Sequence, residues 1–437
     1  MQKLGFAQRW VDWIMSCVTS VRYSVKLNGT LLDSFAPTRG LRQGDPLSPF
    51  LFLFVADGLS AIMKHYVSSG ELSPIKVCRR APGISHLLFA DNTMLFFEAN
   101  RAQAEKVRLA LDQYASATGQ SLNFDKCSIL FGSTCPVNIQ EEVRGALNVT
   151  TLVFEEKYLG LPTPDGRMSK GKFQNLQMSL TKRLIQWGDG HLAQPGRETL
   201  IKSVAQALPT YLMGVFKLPF SVCDEFTRMV RAFYWGAEKG KRKVHWRAWD
   251  DLVQPKSKGG AGFRDFRIFN QALLARQAWR LIYKPDSLCA QVLKARYYPN
   301  GNIQDTVFSG NASSSSQAIS YGLDLLKKGL IWRVGNGRSI RVWRDNWIPR
   351  PFSYKPITLQ GRCRIRFVSD LLNNNGSWNA AVLQEFFLPA DVVEILKIRA
   401  SPRQEDDTLA WGPGKYGVFS VRSAYEFGFE EAHRSSA

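Results

Sequence analysis

The sequence predicts an α+β protein with short strand hairpins near the N-terminus and long helices in the middle of the chain. Asn28-Gly29 lies between two short apolar segments, as in a tight hairpin turn. Residues 102–118 and 266–282 instead place apolar side chains at helical spacing. Hydrophobic residues make up 45% of the 437 positions and charged residues 22%, so a sizeable folded core is expected.

The first 120 residues are predicted to alternate between helices and hairpins. A glycine-bearing loop at 39–44 leads into a long apolar helix, and Gly119 is placed to end the last helix of this part. The expected elements, in order, are a helix at 7–19, strands at 21–27 and 30–35, a helix at 46–63, a hairpin at 84–97 and a helix at 102–118.

From about residue 170 the pattern changes to amphipathic helices with basic faces, at 173–185, 196–213, 222–235 and 266–282. Between the last two, residues 241–262 form a basic connection that contains Trp and Gly. The segment 311–317 holds four consecutive serines and is the best candidate for a linker. Beyond it, Asn336-Gly337 between 331–334 and 339–343 predicts another hairpin.

The net charge favours a polyanionic partner. Lys and Arg number 57 against 37 Asp and Glu, which gives +20, and the chain also has 12 Trp, 27 Phe and 13 Tyr. Cations interleaved with aromatic rings are typical of nucleic-acid binding. The alternative is a basic protein whose charge only keeps it in solution.

The cysteines and the N-terminus indicate an intracellular, reducing environment, without separating nucleus from cytoplasm. Seven scattered cysteines without a CxxC pair predict neither a disulfide framework nor a zinc site, so no disulfide-linked partner is expected. No secretory leader is apparent. The longest apolar run, Pro49 to Ala56, is too short to span a bilayer, so no membrane association is expected.

The segment Gly40-Leu41-Arg42-Gln43-Gly44-Asp45-Pro46 combines features of a helix start and of a phosphate site. The two glycines allow another group to approach the backbone closely. Asp45 is a good N-cap and Pro46 a good first helical residue. Free backbone N–H groups and the cation of Arg42 could hold phosphate. The alternative is that this segment only begins a helix.

A second segment, Asp91-Asn92, lies between the apolar arms 87–89 and 94–97. A carboxylate at the tip of such a hairpin is well placed to bind Mg²⁺, which prefers oxygen ligands. Asp and Asn are also common in plain hairpin turns, and the residue types alone favour that interpretation.

Taken together, these segments resemble the reverse transcriptases of plant-type LINE (non-LTR) retrotransposons. Residues 40–50 resemble the loop-helix motif of the polymerase palm, and 89–92 resemble its active-site hairpin, which normally reads Phe-Ala-Asp-Asp. The resemblance extends from about residue 4 to about 426. Further similar segments lie at 119–126, 158–162, 196–211, 259–265, 332–337 and 419–425.

The resemblance implies RNA-directed DNA polymerase activity with Mg²⁺, acting on an RNA template and a DNA primer or an RNA–DNA hybrid. It also implies a partial palm at 1–165, a helical thumb or connection region at 166–310 and a small α+β region at 318–437, which would precede a zinc-binding module that the sequence lacks. The site residues it implies are Asp91 as Mg²⁺ ligand, Gly40, Arg42, Gln43, Gly44 and Lys126 near template and substrate, and Lys182, Arg183, Arg197 and Lys202 on the nucleic-acid backbone.

The chain departs from the family pattern at its catalytic carboxylates. Asn92 stands where the second Asp of the pair is expected. The family's first catalytic Asp lies on a strand before the opening helix, and no residue before Asp12 supplies it here. Two-metal phosphoryl transfer needs several converging carboxylates. The chain by itself is therefore expected to be catalytically defective. The alternatives are a non-catalytic RNA/DNA-binding remnant and a relic without function.

Two basic, Trp-containing segments remain open to two interpretations. In the hairpin predicted at 331–345, Trp332, Trp343 and Trp347 could stack bases between arginines, but the alternation favours Trp packed inward and Arg exposed. Lys241-Arg242-Lys243, with His245 and Trp246, is interpreted as a basic loop, and its resemblance to a nuclear-import signal is weak.

Overall fold

The computed structural model describes the whole chain except residues 39, 153, 155–156, 163–169, 189–191, 237–243, 311, 351–352, 400–402, 404 and 435–437. The described residues are α+β, as predicted. The chain divides into two compact units, Met1–Glu156 and Lys157–Ala437.

The described part of the first unit contains four α-helices and two small antiparallel hairpins. Its elements are α1 (Gln8–Thr19), β1 (Lys26–Leu27), β2 (Thr30–Leu31), α2 (Ser48–Ser68), β3 (His86–Phe89), β4 (Asn92–Leu95), α3 (Arg101–Thr118) and α4 (Val137–Leu147). β1 pairs with β2, and β3 pairs with β4.

Local sequence signals account for these elements. Asn28 (φ 48°) and Gly29 (φ 91°) both adopt the positive φ of a type I′ turn between β1 and β2. The Asn100 side chain accepts a hydrogen bond from the backbone N–H of Gln103 and caps α3. Gly119 (φ 70°) ends α3 in the left-handed region. These hairpins and this helix are confirmed as predicted.

The core of the first unit is small and lies between α2 and α3. Leu59 and Met63 of α2 pack with Val107 and Ala110 of α3. Leu59 and Met63 are nevertheless the only two buried residues of α2. Over its 21 residues, this helix is long and apolar enough to cross a membrane, although the run Pro49 to Ala56 alone is not. A single helix of this kind is weak evidence for a membrane span.

The second unit is mainly helical. Its elements are β5 (Lys157–Tyr158), β6 (Leu161–Pro162), α5 (Gln174–Gly188), α6 (Gln194–Leu200), α7 (Thr210–Met213), α8 (Phe220–Trp235), α9 (Trp249–Val253), α10 (Phe266–Tyr283), α11 (Leu288–Tyr297), α12 (Ser314–Gly329), β7 (Leu330–Arg333), α13 (Ala380–Phe386), α14 (Pro389–Leu396), β8 (Thr408–Trp411) and α15 (Val421–Arg434).

Helix α10 is central to this unit because its residues contribute to two of three hydrophobic clusters. Phe266 and Phe269 belong to a cluster with α5 and α8, whereas Ala272 and Ala275 belong to one with α12 and α15. α12 approaches closely at Gly322, where a Cβ atom would lie 2.2 Å from the backbone of Leu274. A third cluster lies in residues 334–398.

The hairpin predicted across Asn336-Gly337 is wrong. β7 pairs instead with β8, in the register Leu330↔Trp411 to Arg333↔Thr408. The carboxylate of Asp407 accepts hydrogen bonds from the backbone N–H groups of Gly335 (2.8 Å), Gly337 (2.9 Å) and Ser339 (2.9 Å). This carboxylate organises residues 335–339 as a loop, so they do not form a turn between two strands.

Two further expectations for the second unit are wrong. The serine run predicted as a linker begins α12, because Ser313 caps the helix through the Ser316 N–H and Ser316 is fully buried. The helix expected at 196–213 is interrupted, because α6 continues into the π-helical turn Ile201–Ala205 and α7 starts only after Pro209.

The packing interpretation of the tryptophans is confirmed. Trp347 is buried, and Trp332 and Trp343 pack against the third cluster. The neighbouring arginines, Arg333, Arg338, Arg341 and Arg344, are exposed.

Candidate nucleic-acid site

The loop before α2 is held by two local hydrogen bonds. The Asp45 carboxylate accepts from the backbone N–H of Leu47 at 2.8 Å, and Ser48 Oγ donates to the backbone carbonyl of Arg42 at 2.8 Å. Gly40 (φ 86°) and Gly44 (φ 85°) both require the left-handed region. α2 starts at Ser48, so Asp45 closes the preceding turn and is not the N-cap that was predicted.

This arrangement leaves the predicted binding residues accessible. Arg42, Gln43 and both glycines are exposed, and the loop lies beside α1, where Leu41 and Arg42 line a small cavity with Cys17 and Val18. Lys126 is also exposed, at the end of the 3-10 turn Phe124–Lys126.

Asp91 and Asn92 lie at the tip of the second hairpin, as predicted. Phe89 pairs with Asn92 across the two strands, and Ala90 adopts a positive φ of 51° in the turn. A positive φ is uncommon for a residue other than glycine, so this turn is under backbone strain. Asp91 and Asn92 are both exposed, and so is the ring of Phe89.

A histidine connects this hairpin to α2. His86 Nε2 lies 2.9 Å from Ser60 Oγ, and His86 Nδ1 lies 2.9 Å from Ser85 Oγ. Burial, together with the nearby charge of Lys64, lowers the pKa of His86 below its usual value of 6.5. This contact was not predicted, because Ser60 and His86 are 26 positions apart and no local pattern connects them.

Asp91 and Asn92 by themselves do not complete a two-metal centre. Asp91 supplies one carboxylate, and Asn92 supplies only a neutral amide oxygen. Among the described residues, no group of three His, Cys, Asp or Glu side chains is arranged to hold a metal ion.

The four basic residues predicted to hold the nucleic-acid backbone fall into two classes. Lys182 and Arg183 are exposed on α5, while Leu180 and Leu184 of the same helix are buried. Lys202 is half-buried, and its Nζ lies 2.5 Å from both Glu198 Oε1 and the carbonyl oxygen of Ala261.

Arg197 also makes internal contacts. Its Nη1 donates to the carbonyl of Phe233 at 3.5 Å, and its guanidinium lies 6.0 Å from the centre of the Phe233 ring. The basic cluster 241–243 lies outside the described residues.

Comparison with known families identifies a domain at the N-terminal end of the sequence. Residues 1–163 match the family model described as reverse transcriptase (RNA-dependent DNA polymerase). This match contains both the glycine loop and the Asp91-Asn92 hairpin.

Several curated proteins are similar to the chain. An Arabidopsis thaliana protein named a ribonuclease H protein is 30% identical over 280 residues, which are 61% of this chain and 44% of that protein. A mitochondrial protein from the same plant is 38% identical over 143 residues, which are 32% of this chain and 93% of that protein. The Pol polyprotein of the retrotransposable element R2DM from Drosophila melanogaster is 29% identical over 127 residues, which are 29% of this chain and 11% of that polyprotein. The chain thus spans less than half the length of the first of these relatives.

Proposed function

Because this chain belongs to the reverse transcriptases of non-LTR retrotransposons, we propose that it binds nucleic acid of the RNA–DNA hybrid type without synthesising DNA. Residues 1–165 are proposed as palm, 166–310 as thumb or connection, and 318–437 as a downstream α+β region. The observation that carries the loss of activity is the pair Asp91-Asn92 at the hairpin tip.

The chemical argument concerns the charge of the second residue of this pair. An amide oxygen is a weaker ligand for a hard divalent cation than a carboxylate, and it brings no negative charge. Catalysis by two metal ions depends on clamping the attacking and leaving oxygens together. Each 1.4 kcal/mol lost from transition-state stabilisation costs about tenfold in rate, so a loss of several kcal/mol removes useful synthesis.

The proposed binding of nucleic acid is supported by the positive charge of the chain. The chain carries a net +20, and Lys182 and Arg183 of α5 lie exposed without contact to a carboxylate among the described residues. Cations that neutralise phosphates release counterions, so the affinity should fall linearly with salt on a log–log plot.

Primer extension on an RNA template with Mg²⁺ tests the loss of activity. We expect no extension above background by the wild-type chain. Asn92→Asp is the matched variant, because it restores only the missing carboxylate at the hairpin tip. Extension by the wild type would overturn the proposal. Extension by the variant alone would support it, by locating the defect at position 92.

Fluorescence anisotropy with a labelled RNA–DNA hybrid tests binding. We expect saturable binding whose affinity falls steeply between 50 and 200 mM salt, a range over which several phosphate contacts are lost. If binding is not saturable at any salt concentration, the chain is a relic without this function.

A further inference from the structure

Trp246 is the most exposed tryptophan of the chain. Of the 12 tryptophans, only Trp10, Trp13 and Trp246 are exposed, and Trp246 keeps 84% of its surface accessible. A side chain with this much apolar surface usually lies at least partly in a core. Among the described residues, none makes a hydrogen bond or a ring contact with its indole.

The backbone on both sides of Trp246 is anchored. The imidazole of His245 stacks on the indole of Trp235, with ring centres 5.8 Å apart and planes inclined by 17°. Arg247 Nη1 donates to the carbonyl of Gly259 at 2.8 Å. A few residues later, Trp249 is buried and stacks on Phe263 at 5.1 Å. The residues on both sides of the exposed indole therefore contact the rest of this unit, which lowers the backbone entropy to be lost when a ligand binds.

The sequence around Trp246 is strongly basic. Residues 239–247 read Lys-Gly-Lys-Arg-Lys-Val-His-Trp-Arg and contain five Lys or Arg and no carboxylate. Glu238 comes directly before this run, and Asp250 and Asp251 follow it; Asp251 lies 3.8 Å from Arg247. A basic sequence supplies charges that neutralise phosphates, and an exposed indole supplies a surface on which a base can stack.

We propose that Trp246 is a base-stacking site for single-stranded nucleic acid. The inference rests on the proposed nucleic-acid binding and adds that the segment bound at this position is single-stranded. Bases in a duplex already stack on one another, so only an unpaired segment can place a base on this indole. An acidic protein surface would match the charge but makes no use of an exposed flat ring.

The test is fluorescence anisotropy with a labelled single-stranded RNA, an abasic strand with the same number of phosphates, and the RNA–DNA hybrid. The Trp246→Ala variant removes the ring, and Trp246→Phe retains a smaller one. The matched control is Tyr283→Ala, since Tyr283 is also an exposed aromatic residue of the same unit (70%), stacked on Trp279. Thermal melting checks that each variant remains folded.

We expect Trp246→Ala to weaken binding of the single strand about tenfold, in line with the loss of one stacked base. Trp246→Phe should lose less, and Tyr283→Ala should bind like the wild type. Binding of the abasic strand and of the hybrid should be unchanged by Trp246→Ala, and the salt dependence should keep its slope.

The outcomes separate this inference from the proposed function. If the wild-type chain binds the hybrid or the RNA and Trp246→Ala binds all three ligands equally well, stacking at Trp246 is wrong and the proposed function stands. If Trp246→Ala weakens binding of the abasic strand as strongly as that of the RNA, no base stacks on the indole. If the wild type binds no nucleic acid, the proposed function itself fails.

Discussion

The two units of this chain differ most in how much apolar surface they bury. Among the described residues, eleven apolar side chains are buried in Met1–Glu156 and none of them is aromatic, whereas 51 are buried in Lys157–Ala437. Exposure shows the opposite trend, with 25 large apolar side chains exposed in the first unit and 17 in the longer second unit. The unit that contains the Asp91-Asn92 hairpin is therefore the one with the smaller core.

This difference has a thermodynamic consequence. Burying apolar area contributes about 25 cal/mol per Å², so a unit that leaves its aromatic rings in water gains little to offset its conformational entropy. Phe50, Leu53 and Phe54 of α2 are examples of such exposed side chains. The second unit, with its buried aromatic residues and three clusters, should supply most of the stability of the chain.

Replacing a buried aromatic residue of the second unit tests this comparison most strongly. Trp411 is fully buried, its ring packs on Phe419 at 5.2 Å, and its Nε1 donates to Ser423 Oγ at 3.0 Å. We expect Trp411→Ala to lower the free energy of unfolding by about 4 kcal/mol. Urea unfolding followed by far-ultraviolet circular dichroism measures this change.

Trp13→Ala is the control in the first unit, because the ring of Trp13 is about half exposed and is contacted by the guanidinium of Arg9. We expect a loss below about 1 kcal/mol, as for other surface positions. If the two variants are equally destabilised, the contrast between the units is false.

The next largest effect is expected at a buried ion pair. The Asp391 carboxylate, fully buried, accepts hydrogen bonds from Arg350 Nη2 (2.5 Å), the backbone N–H groups of Ile357 (3.1 Å) and Thr358 (2.8 Å), and Thr358 Oγ1 (2.5 Å). Asp391→Asn would leave the Arg350 charge buried without its partner, at a cost of about 3 kcal/mol. Urea unfolding at pH 7 measures it, and Asp224→Asn at the exposed pair with Arg267 is the control, with a loss below about 1 kcal/mol.

The same pair predicts a pH dependence. Burial by itself raises the pKa of Asp391, but the hydrogen bonds from Thr358 and Arg350 outweigh it, and the pKa is lowered from its usual 3.8. The stability it contributes is thus complete above pH 3.8 and is lost as pH falls below that value. The difference between wild type and Asp391→Asn should therefore shrink at pH 3; an unchanged difference there would rule out this role of the carboxylate.

A smaller effect separates structural from binding cations within the second unit. Lys202→Met removes the contacts of Nζ with Glu198 and Ala261, and should cost about 1 kcal/mol of stability without changing the salt dependence of hybrid binding. Lys182→Ala, on the exposed face of α5, should leave stability unchanged and reduce the log–log salt slope by about 0.9. If Lys202→Met reduced the salt slope and Lys182→Ala reduced the stability, Lys202 would be the binding residue and Lys182 the structural one.

Local patterns in the sequence predict the parts of the fold that depend on neighbouring residues. The turn at Asn28-Gly29 and the capped ends of α3 are set by two to four consecutive residues, so they can be read directly. The pairing of β7 with β8 cannot be predicted in this way, because Leu330 pairs with Trp411, which is far away along the chain. Asn336-Gly337 has the sequence of a hairpin turn, but the backbone N–H groups around it donate hydrogen bonds to the carboxylate of Asp407.

The candidate site shows the same limit. The position of Asp91-Asn92 at a hairpin tip follows from the apolar segments around it, and the structure places it there. Lys202 contacts the carbonyl of Ala261, 59 residues away, and no local pattern predicts this contact. Side-chain exposure is a tertiary property, and for this reason the isolation of Trp246 was also not apparent from its sequence context.

The smallest expected effect concerns His86. It tests whether the stability of the first unit depends on pH independently of the second unit. Because the pKa of His86 is lowered from 6.5, the unfolded chain binds the proton more readily than the folded unit does. The stability of the first unit should therefore fall as pH decreases through about 6.5, whereas Asp391 of the second unit responds only below 3.8. After discounting for solvent screening, the change is below about 1 kcal/mol.

Hydrogen exchange of peptides covering α2 and β3, compared at pH 7.5 and 5.5 after correction for intrinsic rates, measures this response, with α10 peptides as internal control. Protection in α2 should decrease at the lower pH, since Ser60 of this helix contacts the His86 ring, while α10 stays unchanged. His86→Gln cannot bind the proton in this range and should abolish the difference. A loss of α2 protection that persists in His86→Gln would show that another group makes the first unit the more acid-sensitive of the two.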